Sequence, residues 1–294
     1  MHRLTALLCT GLLASGPAFA HASGDAGEAG VERAFLIALI AALVAGAIFY
    51  ARGVAALWRK AGVGRGVRRA EAASFVAGWA VLAASLLSPI DSFADRSFAL
   101  HMVQHELLMV VAAPLIVLGR PLEAWTWAAS AAAQRWFAAA AKWPTVQTIG
   151  ALTMLPLGAW VLHALALWVW HLPPFFSAAL RSPLLHILQH ASFFGSALAY
   201  WWSVFGGRAR RPKGSAIASL FTTMLHTSAL GALLTFAPSP WYAGNEARAF
   251  GLSALEDQQL GGLIMWVPGG MAFMIAGLAI IGRWLAPARR TAKA

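Results

Sequence analysis

The sequence predicts an all-α fold: a polytopic membrane helix bundle with seven transmembrane helices after a cleaved signal peptide. Three observations carry that prediction. The 294-residue chain is 60% hydrophobic and only 11% charged, against about 25% charge in an ordinary soluble domain. Its apolar residues fall into runs near twenty, the length that crosses about 30 Å of hydrocarbon. Its first twenty residues, "MHRLTALLCTGLLASGPAFA", have the basic start, short apolar stretch and A-x-A ending of a secretory signal.

The signal peptide occupies residues 1–20 and carries away Cys9, the only cysteine. Thiolate metal sites, disulfides and thiol redox chemistry are therefore excluded from the mature chain. Residues 21–294 then read as a single seven-helix transmembrane domain. Spans are expected near 34–51, 72–90, 98–118, 147–170, 184–205, 215–237 and 259–282. The Ala- and Trp-rich stretch 123–143 predicts a helix lying at the interface, where Trp125, Trp127, Trp136 and Trp143 find the level that indole rings favour.

Charge sets the orientation. Arg52, Arg59, Lys60, Arg65, Arg68 and Arg69 follow the first span, and Arg120, Arg135 and Lys142 follow the third. Arg208, Arg210, Arg211 and Lys213 follow the fifth, and Arg283, Arg289, Arg290 and Lys293 close the chain. The opposite side holds Arg33, Arg96, Arg181 and Arg248. The positive-inside rule places the first set in the cytoplasm, with the N-terminus periplasmic and the C-terminus cytoplasmic. The formal net charge of +11 is thus a topology signal. It lies on short loops rather than one basic domain, so nucleic acid is not an expected partner.

The histidines point to chemistry. His101 and His105 lie in the outer half of the third span, and His186 and His190 open the fifth. Both are i, i+4 pairs, so each pair shares one helix face and can hold one ion. His163, about two turns deeper than the outer end of the fourth span, and His226, near the middle of the sixth, stand below them. These six are the candidate metal ligands, because ionisable groups inside a bilayer are costly and mark function. Met102 adds a soft donor beside His101, and Met109, Met224 and Met265 add others. Imidazole with thioether suits copper better than magnesium or calcium, while imidazole alone also suits zinc. His171, in "WHLPPFF" at the interface, reads as a residue that orders the loop.

Three further groups support the site. Glu106 either accepts a hydrogen bond from a neighbouring imidazole, fixing its tautomer, or pairs with a charge on another helix. Asp257 and Gln258 open the seventh span at the level of the histidine pairs, and Gly261 and Gly262 behind them permit close helix approach. Pro268-Gly269-Gly270 is expected to kink or break that span near mid-membrane. Cleavage after Ala20 would leave His21 first, and its free amine and imidazole form an N,N chelate suited to Cu(II).

Three stretches carry a resemblance: "HMVQHELLMVVAAPLIVLGRP", "WHLPPFFSAAL" with "LLHILQHASFF", and "EDQQLGGLIMWVPGG". In that order they resemble the CtaG-type family of cytochrome c oxidase assembly factors, which serve caa3-type oxidases. The resemblance implies a seven-span protein of the bacterial inner (cytoplasmic) membrane that aids assembly of a haem–copper oxidase, with a role in placing copper. It carries over His101, His105, His186 and His190, with Asp257 and Gln258. It implies cytochrome c oxidase subunits as partners beside the lipid bilayer, and admits a periplasmic copper chaperone as a further one. A single-span copper chaperone that shares the name uses cysteine ligands, which the mature chain lacks.

The expected function is therefore an inner-membrane assembly factor that binds copper from the periplasmic side and aids its insertion. Two alternatives stand beside it. A transporter of copper or another ion would need polar residues in the cytoplasmic half, which holds few. A haem-binding membrane redox protein would need axial histidines on opposing helices, an arrangement that His105 facing His190 permits. A hydrolase-type enzyme has the least support, and the chain is read as non-enzymatic. N-terminal sequencing of the purified protein is expected to begin at His21, and any other start removes the N-terminal chelate.

Overall fold

A computed structural model describes residues 26–87, 94, 96–206, 213–242 and 249–285. The signal segment 1–20 and His21 lie outside them. Helices and short turns make up the described residues, with no strand among them. We number the helices α1 (Ala26–Ala61), α2 (Arg69–Leu87), α3 (Phe98–Leu118), α4 (Pro121–Ala128), α5 (Ala131–Ala140), α6 (Pro144–Met154), α7 (Pro156–Trp170), α8 (Pro173–Arg181), α9 (Pro183–Phe205), α10 (Lys213–Thr235) and α11 (Ala254–Leu285).

Five helices are long and apolar enough to cross a membrane: residues Arg33–Ala61 of α1, then α2, α3, α10 and α11. The stretch expected to be one span over 147–170 is two helices. Leu155 takes an extended conformation (φ −67°, ψ 145°) just before Pro156. Proline disfavours the helical region for the residue before it and supplies no amide hydrogen, so the break falls where the sequence forces it. At the far end of α7, Pro173 starts α8, and the chain bends by 75° between them. The stretch 123–143, expected as one helix, is also divided. Ala129 and Ser130 are extended, and the Ser130 hydroxyl accepts from the Ala133 amide to start α5 afresh. α9 has the length of a span at 23 residues. His186, Gln189 and His190 dilute its apolar character, and it is not among the five.

α3 is the partition of the molecule. One of its faces (Leu108, Ala112, Ile116) belongs to a core with Leu43, Tyr50, Phe75 and Leu82 of α1 and α2. The other (Met102, Met109, Ala113, Val117) belongs to an aromatic core with Phe176, Phe193, Tyr200, Trp201 and Phe273. Between Leu107 and Ala112 the helix widens into a π turn, two residues before Pro114. A proline cannot donate to the carbonyl four residues back, and its ring crowds that carbonyl. Widening the turn relieves both problems. Within the widened turn, the Met109 carbonyl accepts from Trp201 Nε1 at 2.8 Å, which binds α9 to α3. α11 does the same around Pro268, with a π turn over Met265–Gly269. The expected kink or break there is a widening, and α11 runs through it as one helix.

Small residues set the closest approaches. Gly231 and Gly262 bring the backbones of α10 and α11 together, and a Cβ on Gly261 would collide with Phe98 of α3. Gly53 lies on the Ala124 carbonyl, where a Cβ has no room, so α4 folds back tightly along α1. Tyr50 seals the same junction by donating to the Gly119 carbonyl at 2.7 Å.

Two adjacent residues of α11 fasten the outer end. The Asp257 carboxylate accepts from Ser97 Oγ (2.6 Å) and from the backbone amides of Phe98 (2.6 Å) and Ala99 (3.1 Å). It satisfies amides that a helix start leaves without partners and sets negative charge at the positive end of the α3 dipole. Gln258 accepts from the Trp241 amide at 2.6 Å. The neighbouring Tyr242 donates its hydroxyl to the His171 carbonyl at 2.9 Å.

Asp257→Ala is expected to lower stability by about 2–3 kcal/mol, the cost of losing a helix cap and leaving buried donors unpaired. Thermal unfolding in detergent reads it directly. By the same assay Gly53→Ala should cost about 1–3 kcal/mol through overpacking. Gly277→Ala, where nothing lies within 4 Å of the added carbon, should be neutral or slightly stabilising.

Candidate functional site: a buried histidine cluster

The outer half of α3 turns His101 and His105 towards the first turns of α9, which present His186 and His190. Within each i, i+4 pair the ring centroids are 4.3 Å apart. Across the helices the separations are 5.3 Å for His101–His186, 5.9 Å for His101–His190 and 5.1 Å for His105–His190. One nitrogen each of His101, His186 and His190 lies within 4.8 Å of the others. Four-coordinate imidazole nitrogens on one ion at 2.0–2.1 Å lie about 3.3 Å apart. An ion held by the trio would require the three nitrogens to draw in from their present spacing to that distance.

The hydrogen-bond inventory favours such an occupant. His101 and His105 are each 1% exposed. Both ring nitrogens of His105, and Nε2 of His186 and His190, have no hydrogen-bond partner among the described residues. His101 has the Gln189 amide and the Ala94 backbone nearby, with neither in a well-directed hydrogen bond. A buried imidazole normally satisfies its polar atoms, and several crowded together without partners suit a shared ion. Gln189, between the partly buried His186 and His190 on α9, is itself fully buried. The sequence reading did not single it out.

His171 was expected to order the interface, and it does so through its carbonyl. Its ring also joins the cluster, 6.3 Å from His105. Sequence spacing alone could not reveal this, because the approach depends on the bend between α7 and α8. Pro173 and Pro174 were the available signal. Phe98, Phe176 and Tyr242 pack on one another beside the group, with centroids 4.3–5.3 Å apart. Phe176 lies 5.3 Å from His101, and Phe193 lies 4.6 Å from His105.

The remaining expected site residues lie elsewhere or act differently. His163 Nδ1 bonds Ser196 Oγ at 3.1 Å and its ring stacks on Tyr200. His226 accepts from Trp168 Nε1 at 3.4 Å and lies edge-on to Trp160. No ring contact joins either to the outer cluster among the described residues. Met102 is buried in the aromatic core and packs against Gly261. Glu106 directs its carboxyl to Gly269 in the π turn of α11, with Oε2 unpartnered among the described residues. Asp257 holds Ser97 and the first amides of α3, Gln258 holds the Trp241 amide, and neither has a hydrogen bond to an imidazole among the described residues.

No solved structure matches the chain. An uncharacterized protein of Mycobacterium bovis is 26% identical over 267 residues, covering 84% of this chain and 38% of that protein. One of Mycobacterium leprae is 25% identical over 237 residues, covering 74% of this chain and 35% of that protein. The chain thus spans little more than a third of the length of these relatives. Residues 48–286, which include every helix of the histidine cluster, match the family described as cytochrome c oxidase caa3 assembly factor. This chain belongs to the cytochrome c oxidase caa3 assembly factor family.

Proposed function

We propose that the protein serves haem–copper oxidase assembly by holding copper in the outer histidine cluster and passing it to an oxidase subunit. The observation that carries this reading is the set of unpartnered, buried imidazole nitrogens where α3 meets α9. His101, His186 and His190 would close on the ion, with His105 beside them. In a mature chain without cysteine, imidazole is the donor that suits copper. The copper is cargo, so the role is non-enzymatic. Cytochrome c oxidase subunits are the receiving partners, and a periplasmic copper chaperone is a fitting donor.

The reading sets the protein in the bacterial inner membrane with seven crossings. The five long apolar helices supply five of them. α6 with α7 would make a broken sixth, and α9 a seventh whose polar residues turn inward to the cluster. The basic residues after α1, α3, α9 and α11 support a cytoplasmic side for those ends. The cluster then faces the periplasm. Tight packing of Phe176 and Phe193 on the imidazoles favours a bare ion over haem, and retention over conduction.

The test is copper content by elemental analysis of the full chain in mild detergent after copper loading. The wild type should retain copper near stoichiometrically. A His101→Ala/His105→Ala variant should lose at least about nine-tenths of it, since removing two ligands forfeits most of a chelate's affinity. Equal copper in both overturns the reading. An intense Soret absorption in the purified wild type would favour haem in its place.

A further inference from the structure

His171 stands apart from the four paired histidines, at the end of α7. Its Nδ1 is 2.7 Å from the Leu167 carbonyl one turn back. A carbonyl can only accept, so Nδ1 carries the proton, and a neutral ring then leaves Nε2 as a bare lone pair. That nitrogen is buried, in a residue only 2% exposed, and has no hydrogen-bond partner among the described residues. A backbone carbonyl fixing one nitrogen while the other stays open is the arrangement that orients metal-binding imidazoles.

The partner for that lone pair is His105. It is absent from the trio whose nitrogens converge, and both of its own nitrogens are unpartnered among the described residues. The two rings are 6.3 Å apart and nearly perpendicular. Two imidazoles bound on opposite sides of one ion, each at 2.0–2.1 Å, have centroids about 6 Å apart. The i, i+4 pairs at 4.3 Å are too close for that arrangement.

We propose that the cluster contains two metal positions: an outer one formed by His101, His186 and His190, and an inner one formed by His105 and His171. This rests on the copper reading above and adds a ligand and a second position to it. His186 and His190 are only partly buried, whereas His105 and His171 are fully buried, so an ion reaches the outer position first. His101 and His190 lie 4.3 Å and 5.1 Å from His105. An ion can thus exchange ligands one at a time from the outer trio to the inner pair, keeping at least one imidazole throughout.

The experiment is an anaerobic titration of the full chain in detergent with Cu(I), supplied as a chelator complex. It reads copper retained after desalting and imidazoles per copper by X-ray absorption. The variants are His186→Ala and His171→Asn, whose side-chain amide can still donate to the Leu167 carbonyl but offers no nitrogen at the Nε2 position. Wild type should retain about two equivalents and each variant about one, with copper-free His171→Asn still giving a cooperative melting transition that shows it folded. Two equivalents retained by His171→Asn overturns the inner position, as when a water satisfies Nε2 instead. One equivalent in wild type that His171→Asn leaves unchanged also overturns it, while the copper reading stands. No copper in wild type overturns both.

Discussion

Everything at the outer end hangs from the dipeptide Asp257-Gln258. The carboxylate closes the amide end of α3, and the amide next to it holds the segment that carries Tyr242. Tyr242 in turn holds His171. Two residues of one helix thus fix both supports of the histidine cluster, with no hydrogen bond to its rings among the described residues. In a low-dielectric interior, each of these polar groups would be expensive if left unpaired. The pairing is therefore a condition for burying helix ends among aromatic rings at all. The same requirement explains why the unpartnered atoms gather where they do. Backbone groups there are answered by Asp257, Gln258, Ser97 and Trp201, while imidazole nitrogens of His101, His105, His171, His186 and His190 are left unanswered among the described residues.

The helical class and the two histidine pairs were legible in the sequence because both are local signals. Apolar runs of span length and an i, i+4 spacing need no knowledge of what packs against what. The family resemblance rested on the same stretches and agrees with the match over residues 48–286. What escaped was long-range. Asp257 reaches Ser97 across 160 positions, and it serves as a cap where the sequence suggested only a nearby polar group. Pro156 did announce the break at Leu155, but the apolar run on both sides concealed it. Glu106 follows His105 directly, yet its carboxyl turns to Gly269 of α11. His163 and His226, aligned with the others by depth alone, find Ser196 and Trp168 as their partners instead.

The cluster also shows why one helix bears so much of the chemistry. α3 is the most buried of the five long apolar helices, with protein on both sides, so a polar residue there can be sheltered from lipid without being offered to water. α1 shows the opposite case. Its Ile37, Val44 and Ile48 are exposed and suit a lipid boundary, where a histidine would have no neighbour to share.

The π turn in α3 has a last consequence, for phase. A π turn fits one more residue into a helical turn than the α-helix does, so the lateral direction of side chains slips by about 100° across it. Above the turn, the face towards α9 holds His101 and His105. Below it, Leu115 and Ile116 meet Gly78 of α2. A helical wheel drawn through 98–118 as one regular helix would mix these two faces. The single inserted residue lets one rod present chemistry in one direction and packing in another, and it decouples the two halves.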